Sequence, residues 1–219
     1  MKTLALTVLL AVLGSAVRAD KEAPPFSFTE KTADGKYIFV MLAPEERLGS
    51  WNDETCARIQ RIRETYKVSG LYRADNPHEP LWTVDWYAFD VVPISDGHHL
   101  IRWGGWAWSR APEWPAVGFY ADGKLLRDYN VSDLVSWPSL MPHSVSHFTW
   151  RKSSVIDEEN LQLTLTTYHL ERYTFDLTTG EIVGSFRPPR WILGFILLVI
   201  AFFVYRFIRR RRKTRAQAS

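Results

Sequence analysis

The chain has 219 residues, with 27 Lys and Arg against 24 Asp and Glu, and its pI is about 9.0. Nine of the basic residues lie before residue 20 or after residue 205, which leaves 18 basic against all 24 acidic residues between them, a net charge of −6. This acidic middle argues against nucleic acid as a partner. The single cysteine, Cys56, excludes an intramolecular disulfide.

The N-terminus has the pattern of a secretory signal peptide. Lys2 supplies the basic start, and an apolar run from Leu4 to Val12 follows it. Val17 and Ala19 then provide modest and small side chains at the −3 and −1 positions of a cleavage site. The apolar run is too short to span a bilayer, so residues 1–19 are predicted to be a cleaved signal peptide.

The C-terminus has the pattern of a membrane anchor. Trp191 to Tyr205 is an uncharged run of fifteen residues, and Phe207-Ile208 lengthens it to eighteen positions if Arg206 snorkels. A basic cluster, Arg209 to Lys213, follows directly, as expected for a cytoplasmic end. We therefore predict a transmembrane helix at residues 191–208, a cytoplasmic tail at 209–219 and an extracytoplasmic domain at 20–187.

The extracytoplasmic domain is predicted to be mainly β. In residues 88–131, Asp96-Gly97 and Asp122-Gly123 each separate two runs rich in β-branched and aromatic residues. Asp-Gly between such runs is a strong hairpin signal, because glycine accepts the positive φ that the turn requires. Upstream, Asp34-Gly35 is predicted to be a turn, and so is Asp75 to Pro80. Downstream, the last group of strands is predicted to begin at Ser144 to Trp150.

The order of strands and turns recurs about three times and resembles the blades of a β-propeller. The residues that carry the resemblance are Asp34-Gly35-Lys36-Tyr37, Asp96-Gly97 and Phe175-Asp176-Leu177-Thr178-Thr179-Gly180. The resemblance implies about three antiparallel four-stranded units over residues 26–186. An irregular β-sandwich or barrel with the same number of strands is the alternative fold. One short helix is expected within residues 44–65, where Ile59, Ile62 and Tyr66 have helical spacing.

Aromatic residues are concentrated in one segment. Trp103, Trp106, Trp108 and Trp114 lie within twelve residues, with Arg102 and Arg110 among them. Exposed indoles of this kind stack on sugar rings or pack against a partner protein, so these six residues are the candidate binding site. The competing interpretation is that alternate tryptophans fill the core and the others cover a loop.

No motif indicates a cofactor or a metal. His98 and His99 point to opposite faces if they lie on a strand, and no His/Cys cluster has ligand spacing. No catalytic residue is predicted, because the chain has no Gly-x-Ser-x-Gly elbow and Cys56 has no histidine beside it in sequence. Asp85, Asp90 and Asp96 are carboxylates at strand ends, where turn-forming roles are common.

Two functions fit this organisation. The first is a membrane-tethered binding or scaffold module, outside the cytoplasm, for another envelope protein or a glycan. Its other expected partner is membrane lipid, through the anchor. The alternative is a hydrolase that acts on envelope polymers with carboxylates from separate loops.

Overall fold

The computed structural model describes residues 23–45, 49, 51–105, 113–142, 148–189, 198–199, 201–203 and 205–206. The strands within these ranges are β1 (Phe28–Lys31), β2 (Tyr37–Met41), β3 (Gly70–Arg73), β4 (Asn76–Thr83), β5 (Val91–Pro93), β6 (His99–Trp103), β7 (Pro115–Ala121), β8 (Lys124–Asn130), β9 (Arg151–Asp157), β10 (Gln162–Thr167), β11 (Arg172–Asp176) and β12 (Ile182–Phe186). Helices α1 (Asp53–Thr65) and α2 (Val131–Leu134) and a 3-10 helix (Pro138–Leu140) connect them.

The twelve strands of the described ranges form three antiparallel sheets, each made of four strands that follow one another in the chain. Sheet 1 contains β1–β4, sheet 2 contains β5–β8 and sheet 3 contains β9–β12. The prediction of a mainly β domain with three four-stranded antiparallel units is therefore confirmed for the described strands. Each sheet is open, with its first and last strands at the edges, so the barrel alternative is wrong for them.

The sheets pack face to face, with sheet 2 in the middle. Its neighbouring residues Leu100 and Ile101 point to opposite faces, as consecutive residues of a strand do. Leu100 packs with Phe39 of sheet 1 in one core cluster, and Ile101 packs with Phe175 of sheet 3 in another. The inner strands of sheet 2, β6 and β7, are thus buried on both faces, which explains the nearly continuous apolar run of β7, whereas the edge strand β8 is mostly exposed.

The turns repeat the same arrangement from sheet to sheet. The N–H of Asp34, in the first turn of sheet 1, donates to Ser95 Oγ at 3.3 Å in the first turn of sheet 2. The N–H of Ser95 donates in turn to Glu158 Oε2 at 3.2 Å in the first turn of sheet 3. The corresponding ends of the three sheets therefore lie side by side. The glycines of the predicted turns, Gly35, Gly97, Gly123 and Gly180, all have positive φ as expected.

Helix α1 covers the outer face of sheet 1 and confirms the helix expected within residues 44–65. Its N-terminus is capped by Asn52, whose Oδ1 accepts the N–H of Thr55 at 2.9 Å. Ile59 and Ile62 are its buried residues, and Ile62 packs with Val40 and Tyr72 of sheet 1. The apolar stripe of the helix is therefore directed at the sheet.

Two predicted boundaries are wrong. The segment from Asn76 to Pro80, expected to be a turn, belongs to strand β4, because an edge strand with register shifts tolerates Pro77 and Pro80. The first strand of sheet 3 is predicted at Ser144–Trp150, of which 144–147 lie outside the described residues, but the strand that begins this sheet is β9 at Arg151–Asp157. It was missed because its side chains are mostly exposed and polar, which leaves no alternation of apolar residues.

The chain divides after Ser185 into two compact units. In the second, the described residues between 198 and 206 are helical, and the apolar ones are exposed. Within the described ranges, no helix has both the length and the apolar character needed to cross a bilayer. The predicted signal peptide at 1–19 and tail at 209–219 lie outside these ranges, as does most of the predicted span at 191–208.

Candidate functional site

The structure describes three of the six residues of the predicted aromatic site, Arg102, Trp103 and Trp114. Trp103 is a core residue with 4% exposure on β6, and Trp114 is half-buried against the same core. The Trp114 Nε1–H donates to the carbonyl of Gly105 at 3.4 Å. Trp106, Trp108 and Arg110 lie outside the described residues. Binding by this group as a whole stays a prediction, but Trp103 serves the packing between sheets 2 and 3.

Arg102, the remaining member, is held between aromatic rings. Its guanidinium lies 5.1 Å from the centre of the Trp86 ring and 5.3 Å from that of Tyr120. The two rings are themselves 4.9 Å apart. Burial raises the pKa of Tyr120, while the nearby Arg102 charge opposes that shift. These cation–π contacts make Arg102 part of the junction between sheet 2 and the segment that follows sheet 1.

A different group of residues forms a cleft beside β1. We call it the inner-strand cleft, because β1 is the edge strand of sheet 1 that contacts β5, the edge strand of sheet 2. Its volume is about 270 Å³. It is lined by three aromatic residues, two opposite charges, one aliphatic residue and one hydroxyl: Phe26, Phe28, Phe89, Glu30, Arg58, Ile62 and Thr29.

Aromatic packing and one tyrosine shape this cleft. The Phe26 ring lies 5.7 Å from that of Phe28 and 6.5 Å from that of Phe89. The hydroxyl of Tyr87 accepts the N–H of Phe26 and donates to the Phe26 carbonyl, both at 3.1 Å. These bonds hold the segment before β1 against the segment before β5. The walls are therefore fixed by contacts between parts of the chain 61 residues apart.

The charges of the inner-strand cleft are not neutralised by each other. Burial, and secondly the charge of Asp90, raise the pKa of Glu30. Asp90 itself is paired with Arg151, whose Nη2 donates to Asp90 Oδ2 at 3.0 Å. Among the described residues, neither Glu30 nor Arg58 has an ion pair. The cleft thus presents a carboxylate and a guanidinium that are both available to a ligand.

A second cavity, of about 290 Å³, differs from the inner-strand cleft because its charged residues are paired with each other or with nearby carboxylates. It is lined by Lys36, Tyr37, Arg73, Ala74 and Asp75. Lys36 is paired with Asp34 at 2.8 Å, and Arg73 with Asp75 at 3.0 Å. Its cations are therefore already satisfied by local carboxylates, and it offers a ligand less unmatched charge than the inner-strand cleft.

The two adjacent histidines bind separate carboxylates. His98 Nδ1 lies 2.7 Å from Asp122 Oδ1, and His99 Nδ1 lies 2.5 Å from Asp96 Oδ2. Burial alone would raise the pKa of Asp96, but its hydrogen bonds with His99 and the N–H of His98 lower it. Within the described ranges, no group of three or more His, Cys, Asp or Glu residues is placed to hold a metal ion.

The residues of the inner-strand cleft were not predicted as a site from the sequence. They come from three separate segments of the chain, and only two short sequence patterns relate any of them. Phe26 and Phe28 are alternate residues entering a strand, and Arg58 and Ile62 are four apart on one helix face. Neither signal says that the two pairs meet, since that depends on how α1 packs on sheet 1.

Comparison with known proteins adds no family assignment. No protein-family model matches the chain, and no curated protein is significantly similar to it.

Proposed function

We propose that this chain is a membrane-tethered, extracytoplasmic binding module, with the inner-strand cleft as its ligand site. In this proposal residues 1–19 are a signal peptide, 191–208 a single transmembrane helix and 209–219 a cytoplasmic tail. The three stacked sheets of residues 20–187 are blade-like repeats that support the cleft. The observation that carries the binding function is the cleft itself, in which aromatic rings line one cavity together with two opposite charges that have no ion pair within the described ranges.

The membrane anchor is supported by the exposure of apolar side chains near the C-terminus. Leu198, Phe202, Phe203 and Tyr205 are 70, 56, 63 and 61% exposed. A helix that exposes so much apolar surface requires another covering, and a lipid bilayer supplies it. Pro188-Pro189 before the apolar run and the arginines after it suit the two ends of a span.

The orientation is tested by thiol labelling, because the chain has only one cysteine to remove. In a Cys56→Ser background, Glu159→Cys places a thiol in the exposed β9–β10 turn, and Ser219→Cys places one at the C-terminus. Intact cells are treated with a membrane-impermeant maleimide. We expect Glu159→Cys to react at once and Ser219→Cys only after the membrane is permeabilised. Reaction of both thiols, or of Ser219→Cys alone, contradicts the proposed topology.

The use of the cleft is tested by photo-crosslinking in the full-length, membrane-bound chain. A benzophenone amino acid replaces Phe89, which lines the cleft, or Tyr168, which is 43% exposed and lies outside it. We expect a crosslinked envelope component from position 89 and none from position 168. Equal yields from the two positions would show that the cleft is not where the domain binds.

One observation favours the alternative, a hydrolase of envelope polymers. Burial, and secondly the charge of Asp90, raise the pKa of Glu30. Asp90 itself forms an ion pair with Arg151. A carboxyl with a raised pKa near a second carboxylate is the kind of pair that glycoside hydrolysis by general acid and base catalysis uses. If the chain releases sugars from purified envelope polymer, Glu30→Gln should abolish the release, whereas the exposed Glu79→Gln should leave it unchanged. Equal activity of both variants removes this alternative.

A further inference from the structure

We infer that the ligand of the inner-strand cleft is a small zwitterion with an apolar side chain, of the class of free α-amino acids. The inference rests on the proposed function, because it names the ligand class for the same site. It is carried by three features of the lining: a carboxylate and a guanidinium that have no ion pair among the described residues, and a wall of phenylalanines.

The carboxylate favours an ammonium group. The charge of Asp90 is offset by Arg151, but Glu30 has no cationic partner among the described residues. Glu30 is an exposed residue at the mouth of the cleft, and a ligand ammonium there would offset both the partial desolvation of its carboxylate and its repulsion by Asp90. The phenylalanine rings strengthen this preference, since a cation is attracted to the face of an aromatic ring.

The guanidinium favours an anionic group on the same ligand. The side chain of Arg58, an exposed residue of α1, lines the cleft, and among the described residues its guanidinium makes no ion pair or hydrogen bond. A guanidinium offers five N–H donors in a planar fork, which matches a carboxylate. A purely cationic ligand would be repelled by Arg58, and a purely anionic one by Glu30. One ligand with both charges satisfies the two residues together.

The size and the walls define the remainder of the ligand. The volume of about 270 Å³ is below the range of roughly 300–1,000 Å³ that holds drug-sized molecules. Phe28 and Ile62 are each 8% exposed, so the floor is apolar and well packed. A ligand of amino-acid size with an apolar side chain therefore fits both the space and the surface.

The test is calorimetric titration of the full-length chain in nonionic detergent with four probes of matched chemistry. L-Phenylalanine carries both charges and a phenyl group. 2-Phenylethylamine lacks the carboxylate, 3-phenylpropionate lacks the ammonium, and glycine lacks the apolar side chain. We expect L-phenylalanine to bind at least 10-fold more tightly than each of the other three. Binding of the amine or the acid as tightly as L-phenylalanine overturns the inference.

Four variants locate the binding and exclude a general loss of structure. Glu30→Gln should lower the affinity for L-phenylalanine by about 10-fold. The affinity for 3-phenylpropionate should stay the same or rise, because the carboxylate that repels this anion is gone. Arg58→Gln should lower the affinity for L-phenylalanine by a similar factor and leave the affinity for 2-phenylethylamine unchanged. Arg58→Lys should bind L-phenylalanine more tightly than Arg58→Gln does, because it keeps a positive charge. The exposed Arg61→Gln, on the same helix, should bind as the unaltered chain does. If neither Glu30→Gln nor Arg58→Gln changes the affinity for L-phenylalanine, the inference is wrong.

The outcome can be separated from that of the proposed function. A chain that shows the expected labelling and crosslinks from position 89, but binds none of the four probes, retains its proposed function and loses only this ligand class. Binding of O-phosphoethanolamine in preference to L-phenylalanine would likewise overturn the amino-acid assignment, in favour of a lipid headgroup.

Discussion

The guanidinium carbon of Arg151 lies 3.8 Å from the centre of the Trp103 ring. Arg151 begins the first strand of sheet 3, and Trp103 ends the second strand of sheet 2. The same guanidinium is paired with Asp90, just before the first strand of sheet 2. One side chain therefore joins two neighbouring sheets by a cation–π contact and an ion pair, next to the inner-strand cleft.

Replacing Arg151 should weaken this junction measurably. We expect Arg151→Met to lower the free energy of unfolding by about 1–2 kcal/mol, because it removes both contacts. Asp90→Asn removes only the ion pair and should cost less than about 1 kcal/mol, since both partners are partly exposed. Urea unfolding of the full-length chain in detergent, followed by tryptophan fluorescence, measures both. The exposed Arg172→Met is the matched control, and an equal loss in that variant would refute a specific role for Arg151.

Glu171 is a buried carboxylate that should be essential for stability. It is 2% exposed, and it accepts hydrogen bonds from the Ser136 N–H at 2.9 Å and the Thr167 hydroxyl at 3.0 Å. Glu171→Leu leaves these donors without an acceptor and should cost about 2–4 kcal/mol. Glu171→Gln keeps one acceptor and should cost less. The same unfolding assay on the exposed Glu159→Leu should show a change within about 0.5 kcal/mol.

Alanine substitutions at two turn glycines with similar φ should distinguish the cost of backbone strain from the cost of a steric clash. Gly35 has φ +72° with open space around it, whereas a Cβ on Gly123, at φ +77°, would lie 2.3 Å from the carbonyl oxygen of Thr83. Gly35→Ala should cost about 1–2 kcal/mol, the strain of a left-handed conformation. Gly123→Ala should cost about 1–3 kcal/mol more, because sheets 1 and 2 must also move apart. Equal losses of unfolding free energy would contradict the close approach.

The contrast between these glycines shows how much the sequence could predict. Asp34-Gly35 and Asp122-Gly123 both indicate a turn, since the need for positive φ is local. Gly123 also lies close to sheet 1. This contact depends on how the sheets stack, and a short sequence pattern cannot predict the stacking. Strand β9 was misplaced for a related reason: its exposed side chains carry no alternation, and pairing with β10 defines it. The same holds for the inner-strand cleft, whose residues meet only after α1 packs on sheet 1.

The contact between His98 and Asp122 should keep the imidazole of His98 protonated to a higher pH than that of a free histidine. The hydrogen bond that His98 Nδ1 donates to the Asp122 carboxylate raises the pKa of His98 above its ordinary value. Because the folded-state pKa is the higher one, the stabilisation is complete below the unfolded-state pKa near 6.5 and is lost as pH rises through the folded-state pKa. The His98 side chain is 65% exposed, so the effect on stability is small.

An NMR titration of the imidazole signals checks this, with His98→Gln assigning the resonance. Asp122→Asn should lower the pKa of His98 and leave the fold unchanged, and an unaltered pKa in that variant would contradict the contact.

Among the described residues, sheet 2 shares a core with a sheet on each face, whereas sheet 3 shares one with sheet 2 alone and presents Val155, 66% exposed, on its other side. Such a stack behaves as a one-dimensional array, in which the stability of each unit depends mainly on its nearest neighbours. Amide protons in β6 and β7 should therefore exchange most slowly, through global unfolding, and those of β9 and β12 through local opening from the end.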